Sequence, residues 1–181
     1  MTTEIGAIGH EPIFRVDEAG VVADLDGRLR LDWWVGAEDR WHRASAEHAV
    51  RQGLAADEVT IETRLRVPGG DIVTRATGSA SSGNGVCLLE FENETPVPVA
   101  LALVVQLPTP GYVEVYDDTL SVDGVSVLRA GRSIARCLVG ADPDALAAGL
   151  EAGEALPPAE LTLPAEGRQV ALIFPVPHTA V

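Results

Sequence analysis

A chain of 181 residues, 46% hydrophobic and 22% charged, is long enough to bury one sizeable core and short for two ordinary domains. Its net charge of -14 argues against nucleic acid and anionic membrane surfaces as partners, because both draw much of their affinity from Lys and Arg. All 13 basic residues are arginine, which excludes chemistry needing a side-chain amine, such as a Walker-type phosphate loop or a Schiff base.

Residues 1–12, MTTEIGAIGHEP, lack the basic start and apolar stretch of a secretory signal, and no apolar run approaches the roughly 18 residues of a membrane span. The expectation is a cytoplasmic protein in which these twelve residues form a loosely held lead-in to a single domain covering 1–181. Residues 21–34, VVADLDGRLRLDWW, place Asp26-Gly27 between two alternating segments. Asp-Gly in that setting predicts a hairpin with a tight type I′ turn. Residues 33–42, WWVGAEDRWH, then hold all three tryptophans of the chain.

Residues 47–54 can open a short helix from Ser45 or form a strand; pairing back through Ala55-Ala56-Asp57 with the next segment is the preferred arrangement. That segment, residues 59–67, puts Val59, Ile61, Thr63, Leu65 and Val67 on one face and Thr60, Glu62, Arg64 and Arg66 on the other, the period of a half-buried strand. Pro68-Gly69-Gly70-Asp71 reverses the chain into a strand over 72–77, and residues 79–85, SASSGNG, read as a flexible loop. Residues 86–107, VCLLEFENETPVPVALALVVQL, form the apolar centre. Two Val/Leu-rich runs flank the corner Asn93-Glu94-Thr95-Pro96, which predicts two core strands in the middle of one sheet.

A turn is expected over 108–111, strands over 112–116 and 119–128, and a second Asp-Gly hairpin at Asp123-Gly124. Asp142-Pro143-Asp144 supplies an N-cap, a first-turn proline and an acid at the positive end of a helix dipole, with Leu146 and Leu150 on one face. One short helix follows, then a Pro-rich turn over 156–164 and a last strand over 169–174. About ten to twelve short strands at this spacing predict a mainly β protein, a two-layer antiparallel β-sandwich with one short helix.

Motifs for catalysis are sparse. The serines of residues 78–83 lack the G-x-S-x-G elbow and its strand-to-helix setting. His10, His42, His48 and His178 lack metal-ligand spacing, and the nearest constellation, His42 with Glu47 and His48, makes no recognisable metal motif; no metal and no cofactor are expected. Cys87 and Cys137 sit in apolar segments and read as buried thiols, with disulfide or metal roles as alternatives. Acids such as Asp117, Asp118, Glu90, Glu92, Glu94, Asp142 and Asp144 are plentiful, but a glycosidase needs two of them about 5 to 9.5 Å apart across a sugar, which spacing along a chain does not show. The tryptophan segment is more specific. Trp33, Trp34 and Trp41 with Asp39, Arg40 and His42 can make a stacking platform with a polar rim for carbohydrate, or the indoles can fill the core or an interface.

The segments WWVGAEDRWH, EHAVRQG, TIETRLRVPGGD, LEFENETPVPVALAL and LIFPVPHTA together resemble the N-terminal β-sandwich domain, of the supersandwich type, of actinobacterial glycoside-hydrolase-like proteins that carry an (α/α)6 toroid. The resemblance implies a supersandwich-like fold and a helical (α/α)6-type partner domain in cis or in trans, with self-association as the alternative. In such proteins the catalytic carboxylates belong to the toroid, so the resemblance carries no catalytic residue to this chain. An ending just past an apolar strand, at PVPHTAV, is expected of a domain followed by more chain. Three readings result: a noncatalytic sandwich domain that packs on a helical catalytic domain and helps shape a carbohydrate cleft; an independent carbohydrate-binding module using Trp33, Trp34 and Trp41; and an enzyme resting on unplaced carboxylates.

Overall fold

The computed structural model describes residues 2–7, 11–81, 84–107, 112–158, 160–162 and 169–178. The first strands are β1 (Thr2–Ile5), β2 (Phe14–Asp17), β3 (Val22–Asp24), β4 (Arg30–Gly36) and β5 (Trp41–Arg43), followed by a 3-10 turn at Ala44–Ala46. Next come β6 (Val50–Leu54), β7 (Ile61–Val67), β8 (Gly70–Ser81), β9 (Asn84–Asn93) and β10 (Val99–Gln106). The chain continues through β11 (Tyr112–Tyr116), β12 (Thr119–Val122), β13 (Val125–Arg129), β14 (Arg136–Gly140), the helix α1 (Pro143–Glu151), β15 (Glu160–Thr162) and β16 (Gln169–Val176).

The protein is mainly β and sandwich-like. An eight-stranded sheet runs β1-β2-β3-β4-β10-β16-β14, with β5 also paired to β4, and two four-stranded sheets run β6-β7-β8-β9 and β13-β12-β11-β15. Alternation along β4, β10 and β16 turns Leu31, Trp33, Val35, Leu101, Leu103, Val105, Val170, Leu172 and Phe174 to one face of the large sheet. There they meet Leu65, Val67 and Ile72 of the second sheet and Val113, Val115 and Leu120 of the third. Both smaller sheets therefore share one side of the large sheet. A separate cluster, Ile5, Val16 and Val22 against Ile61 and Ala76, ties the N-terminal strands to the second sheet, so Thr2–Ile5, expected as a lead-in, are paired as β1.

On the opposite face of the large sheet, Trp34, Ala102, Val104 and Ala171 lie beneath Leu146 and Leu150 of α1. The helix forms as its sequence dictates: the Asp142 side chain accepts from the amides of Asp144 and Ala145, and Pro143 starts the first turn. Full burial of a leucine stabilises by about 1.5–3 kcal/mol, and this docking holds so short a helix. Gly140 makes the close approach possible, since a Cβ there would stand 2.8 Å from Leu146 Cβ. No helix among the described residues is long and apolar enough to cross a membrane.

Several expectations are corrected. The two runs of residues 86–107 do not share a sheet: β9 is the edge of the second sheet, whereas β10 lies between β4 and β16 in the middle of the large one. The cause is Asn93, whose amide donates to the carbonyls of Val97 and Val176 and whose carbonyl accepts from the Thr95 amide. This makes the corner a passage between layers. Residues 79–81 and 84–85, expected as loop, extend the β8–β9 ladder through Ser79↔Val86 and Ser81↔Asn84. The Asp26-Gly27 hairpin exists, but its closing pair is Ala23↔Arg30. Asp24 accepts from the Leu29 amide at 2.8 Å, and the loop is wider than a type I′ turn. Asp123-Gly124 forms the tight turn, with φ of 49° and 78° between Val122 and its partner Val125. Part of the expected Pro-rich turn is β15, and sixteen strands are present among the described residues where about ten to twelve were expected. Residues 82–83, the turn at 108–111, residues 163–164 and His10 lie outside the described residues.

Candidate functional site

The residues of the tryptophan segment divide between three places. Trp33 enters the main core, 2% exposed, where its indole N–H donates to the Ala19 carbonyl at 3.0 Å and its ring meets Phe91 edge-on. Trp34, its neighbour, points to the opposite face, 1% exposed. Trp41 is half-buried and packs with the Trp34 cluster under α1. The three indoles therefore share no single platform.

Asp39, Arg40 and His42 do come together, around Glu47. His42 is 5% exposed; its Nε2 lies 2.9 Å from Asp39 Oδ1 and its Nδ1 lies 3.1 Å from Glu47 Oε1. Both contacts are hydrogen bonds when both ring nitrogens carry protons. Arg40 reaches the same Glu47 oxygen at 2.6 Å. The Arg40 guanidinium beside Glu47 holds its carboxyl below the usual range against the opposing effect of burial, and the His42 ring does the same for Asp39. With its partners engaged, this cluster acts as a clasp between β5 and the strand that follows. His48 stands apart from it, and His178 lies just beyond the end of β16.

An open recess lies elsewhere, on the outer face of the large sheet. Alternation along β4 puts Arg30, Asp32 and Trp34 on that face, opposite Gln106, Val104 and Ala102 of β10. All of these but Ala102, with Arg43, Ser45, Pro143 and Gln169, line a cavity of about 230 Å³ beside the N-terminal end of α1. Arg43 sits 5.7 Å from the Trp34 ring centroid, within cation–π range, and bonds Asp144 at 2.7 Å. That ion pair ties β5 to the start of the helix and fixes the rim.

The polar end of the cavity is built on Asp32. Its Oδ2 accepts from Ser45 Oγ at 2.5 Å, and its Oδ1 accepts from the Trp33 amide at 2.8 Å. Burial pushes the Asp32 carboxyl above the usual range, an effect offset only in part by Ser45, the nearby Trp34 indole, the Trp33 amide and the Arg30 charge. Two lining residues also carry a buried polar atom with no hydrogen-bond partner among the described residues: Trp34 Nε1 and Gln169 Oε1. A buried polar group left unpaired costs about 1–3 kcal/mol.

The cavity is lined by an indole, a carboxyl, a hydroxyl, two carboxamides and two guanidiniums, with no imidazole or thiol among its lining residues. The acids singled out in the sequence are largely committed elsewhere. Glu92 and Glu94 bond Arg75 and Arg64, Asp118 bonds Arg129, Asp142 caps α1 and Asp117 accepts from Ser133. Cys137 is buried in the main core, and burial pushes the Cys87 thiol up to about 12, leaving little thiolate for attack or ligation; the two cysteines are not joined. Of the expected site residues only Trp34 lines the cavity. Arg30 and Asp32 could have been found from the same two-residue period that places Trp34, whereas Ser45 and Gln169 are lone polar residues without a local signal. Comparison with protein-family models, with curated proteins and with solved structures found no match.

Proposed function

We propose that the chain is a noncatalytic β-sandwich module that binds carbohydrate on the outer face of its large sheet, and that it works beside a helical (α/α)6-type domain of a glycoside-hydrolase-like protein, helping to shape the sugar cleft. The observation that carries the binding role is the cavity walled by Trp34 with Asp32, Ser45 and Gln169 at its polar end. Sugar hydroxyls both donate and accept, which matches the carboxyl, hydroxyl, carboxamide and guanidinium groups that line the cavity. The resemblance of the sequence supports the helical partner.

The test is calorimetric titration of the protein with a panel of oligosaccharides, followed in parallel by tryptophan fluorescence. At least one sugar class is expected to bind and to perturb the emission, and Asp32→Ala and Ser45→Ala are each expected to weaken it tenfold or more. Absence of binding across the panel, or binding that both substitutions leave unchanged, overturns the reading.

A further inference from the structure

The cavity at Asp32 is not isolated. A second one, of about 400 Å³, opens beside it and is lined in part by Arg15, Asp17, Ala23 and Leu29; Arg30 and Gln106 belong to both. The strand register explains the continuity. Arg15 pairs with Ala23, Ala23 with Arg30, Arg30 with Gln106 and Gln106 with Gln169. Residues directly opposite across strands share a face, so these five form one row over β2, β3, β4, β10 and β16. At about 4.8 Å per strand, four steps make a row of about 19 Å, longer than a single sugar ring.

The charge on this row is the unusual part. In a chain with 27 acids and 13 bases, cations have carboxylates to spare, and the other described arginines have partners. Arg28, Arg40, Arg43, Arg51, Arg64, Arg66, Arg75 and Arg129 each form an ion pair. Arg132 and Arg136 donate to the carbonyls of Pro175 and Ala155. Among the described residues, Arg15 and Arg30 alone of the arginines form neither an ion pair nor a hydrogen bond, and both lie on this row. Asp17, on the same wall, already uses its Oδ1 to accept from the amides of Ala19 and Val21.

We infer that the two cavities are one groove for an extended, carboxylated sugar chain of the uronic-acid type, in which Arg15 and Arg30 each take a carboxylate and the Asp32–Ser45 end takes hydroxyls. This rests on the carbohydrate reading above and adds charge and length to it. A guanidinium matches a carboxylate with two parallel hydrogen bonds, which a neutral sugar does not use.

The experiment compares a uronic-acid hexamer, the single uronic acid and a neutral hexose hexamer as titrants for the whole chain, for Arg30→Gln and for Arg15→Gln/Arg30→Gln. Both arginines are exposed, and unfolding curves check that the variants are folded. The uronate hexamer is expected to bind at least tenfold more tightly than either other titrant, to weaken with added salt, and to lose in the double variant at least tenfold more affinity than the neutral hexamer loses. Equal binding of neutral and acidic hexamers, indifference of the uronate hexamer to the double substitution, or a single uronic acid binding as well as the hexamer would each overturn the inference and leave the carbohydrate reading standing. If no titrant binds and the wider panel is also silent, both fall.

Discussion

Replacing Asn93 with alanine tests how the two layers are joined. Asn93 is 0% exposed and uses its whole amide: Oδ1 accepts from the Thr95 amide at 2.9 Å and the Thr95 hydroxyl at 2.8 Å, while Nδ2 donates to the Val97 carbonyl at 2.8 Å and the Val176 carbonyl at 3.3 Å. In Asn93→Ala the Val97 carbonyl keeps a donor, because Thr95 Oγ1 also reaches it at 2.8 Å. The Thr95 amide loses its acceptor, and the Val176 carbonyl loses the Asn93 donor. A buried group so stranded costs about 1–3 kcal/mol, and the Val176 bond is long, so the expected loss is about 3 kcal/mol, dominated by the Thr95 amide. Against a total stability of about 5–15 kcal/mol this is a large fraction. Urea unfolding followed by far-UV circular dichroism should show a lower midpoint with unchanged slope. Asn93→Asp, which keeps the acceptors but loses both donors and buries a charge, should be at least as damaging. A midpoint for Asn93→Ala within about 1 kcal/mol of the parent would refute the claim that this side chain holds the corner.

Glu62 lies between Arg64, at 2.8 Å, and Arg75, at 3.0 Å; burial works to raise its carboxyl, but the two guanidiniums outweigh it and hold the carboxyl below the usual range. A folded-state value below the unfolded one stabilises above the unfolded value, about 4.3 for glutamate, and is lost as pH falls through the folded value. Glu62→Gln should therefore cost about 1 kcal/mol at neutral pH, with the difference from the parent shrinking in unfolding curves at progressively lower pH; a difference that does not change with pH counts against the ion-pair account. Asp32 is the opposite case, raised chiefly by burial: its contribution to stability is complete below the unfolded value, about 3.9, and is lost as pH rises through the folded value. Asp32→Asn should be more stable than the parent at pH 7 and lose that advantage in acid, and an equal or lower midpoint at pH 7 would refute the account.

Local features were legible in the sequence and long-range ones were not. The cap at Asp142-Pro143, the buried spacing of Leu146 and Leu150, and the alternation of residues 61–67 all depend on neighbours within a few residues. The two Asp-Gly pairs show the boundary of that logic. Asp123-Gly124 takes positive φ at both positions because Val122 and Val125 pair directly across it. Around Asp26-Gly27 the Asp24 side chain binds the Leu29 amide and opens the loop. The separation of β9 from β10 depends on pairings such as Ala100↔Gly36 and Leu103↔Leu172, and no local pattern carries those. For the site, strand periodicity already required Trp33 and Trp34 to face opposite ways, which favours Trp34 with Asp32 and Arg30 over a platform of adjacent indoles. The contribution of Gln169, from a strand far along the chain, depended on the register of β16 against β10.

The water-facing surfaces of the second sheet and of the large sheet are finished differently. The outer face of the second sheet is closed by a ladder in which Arg64 and Arg75 share Glu62 and reach Glu94 and Glu92. Its charges answer one another across strands, as expected of a face whose task is to meet solvent. The outer face of the large sheet has the same arginine and carboxylate chemistry available and does not close. α1 covers part of it, while along the row from β2 to the start of β16 Arg15 and Arg30 form no ion pair among the described residues, Trp34 Nε1 and Gln169 Oε1 have no hydrogen-bond partner there, and Asp32 is buried at a cost to its charge. A fold that satisfies its polar groups on one face can do so on the other. The burial of Asp32 and the unpaired Trp34 Nε1 and Gln169 Oε1 cost stability, whereas Arg15 and Arg30 are exposed and solvated at little cost; all five residues line the two adjoining cavities.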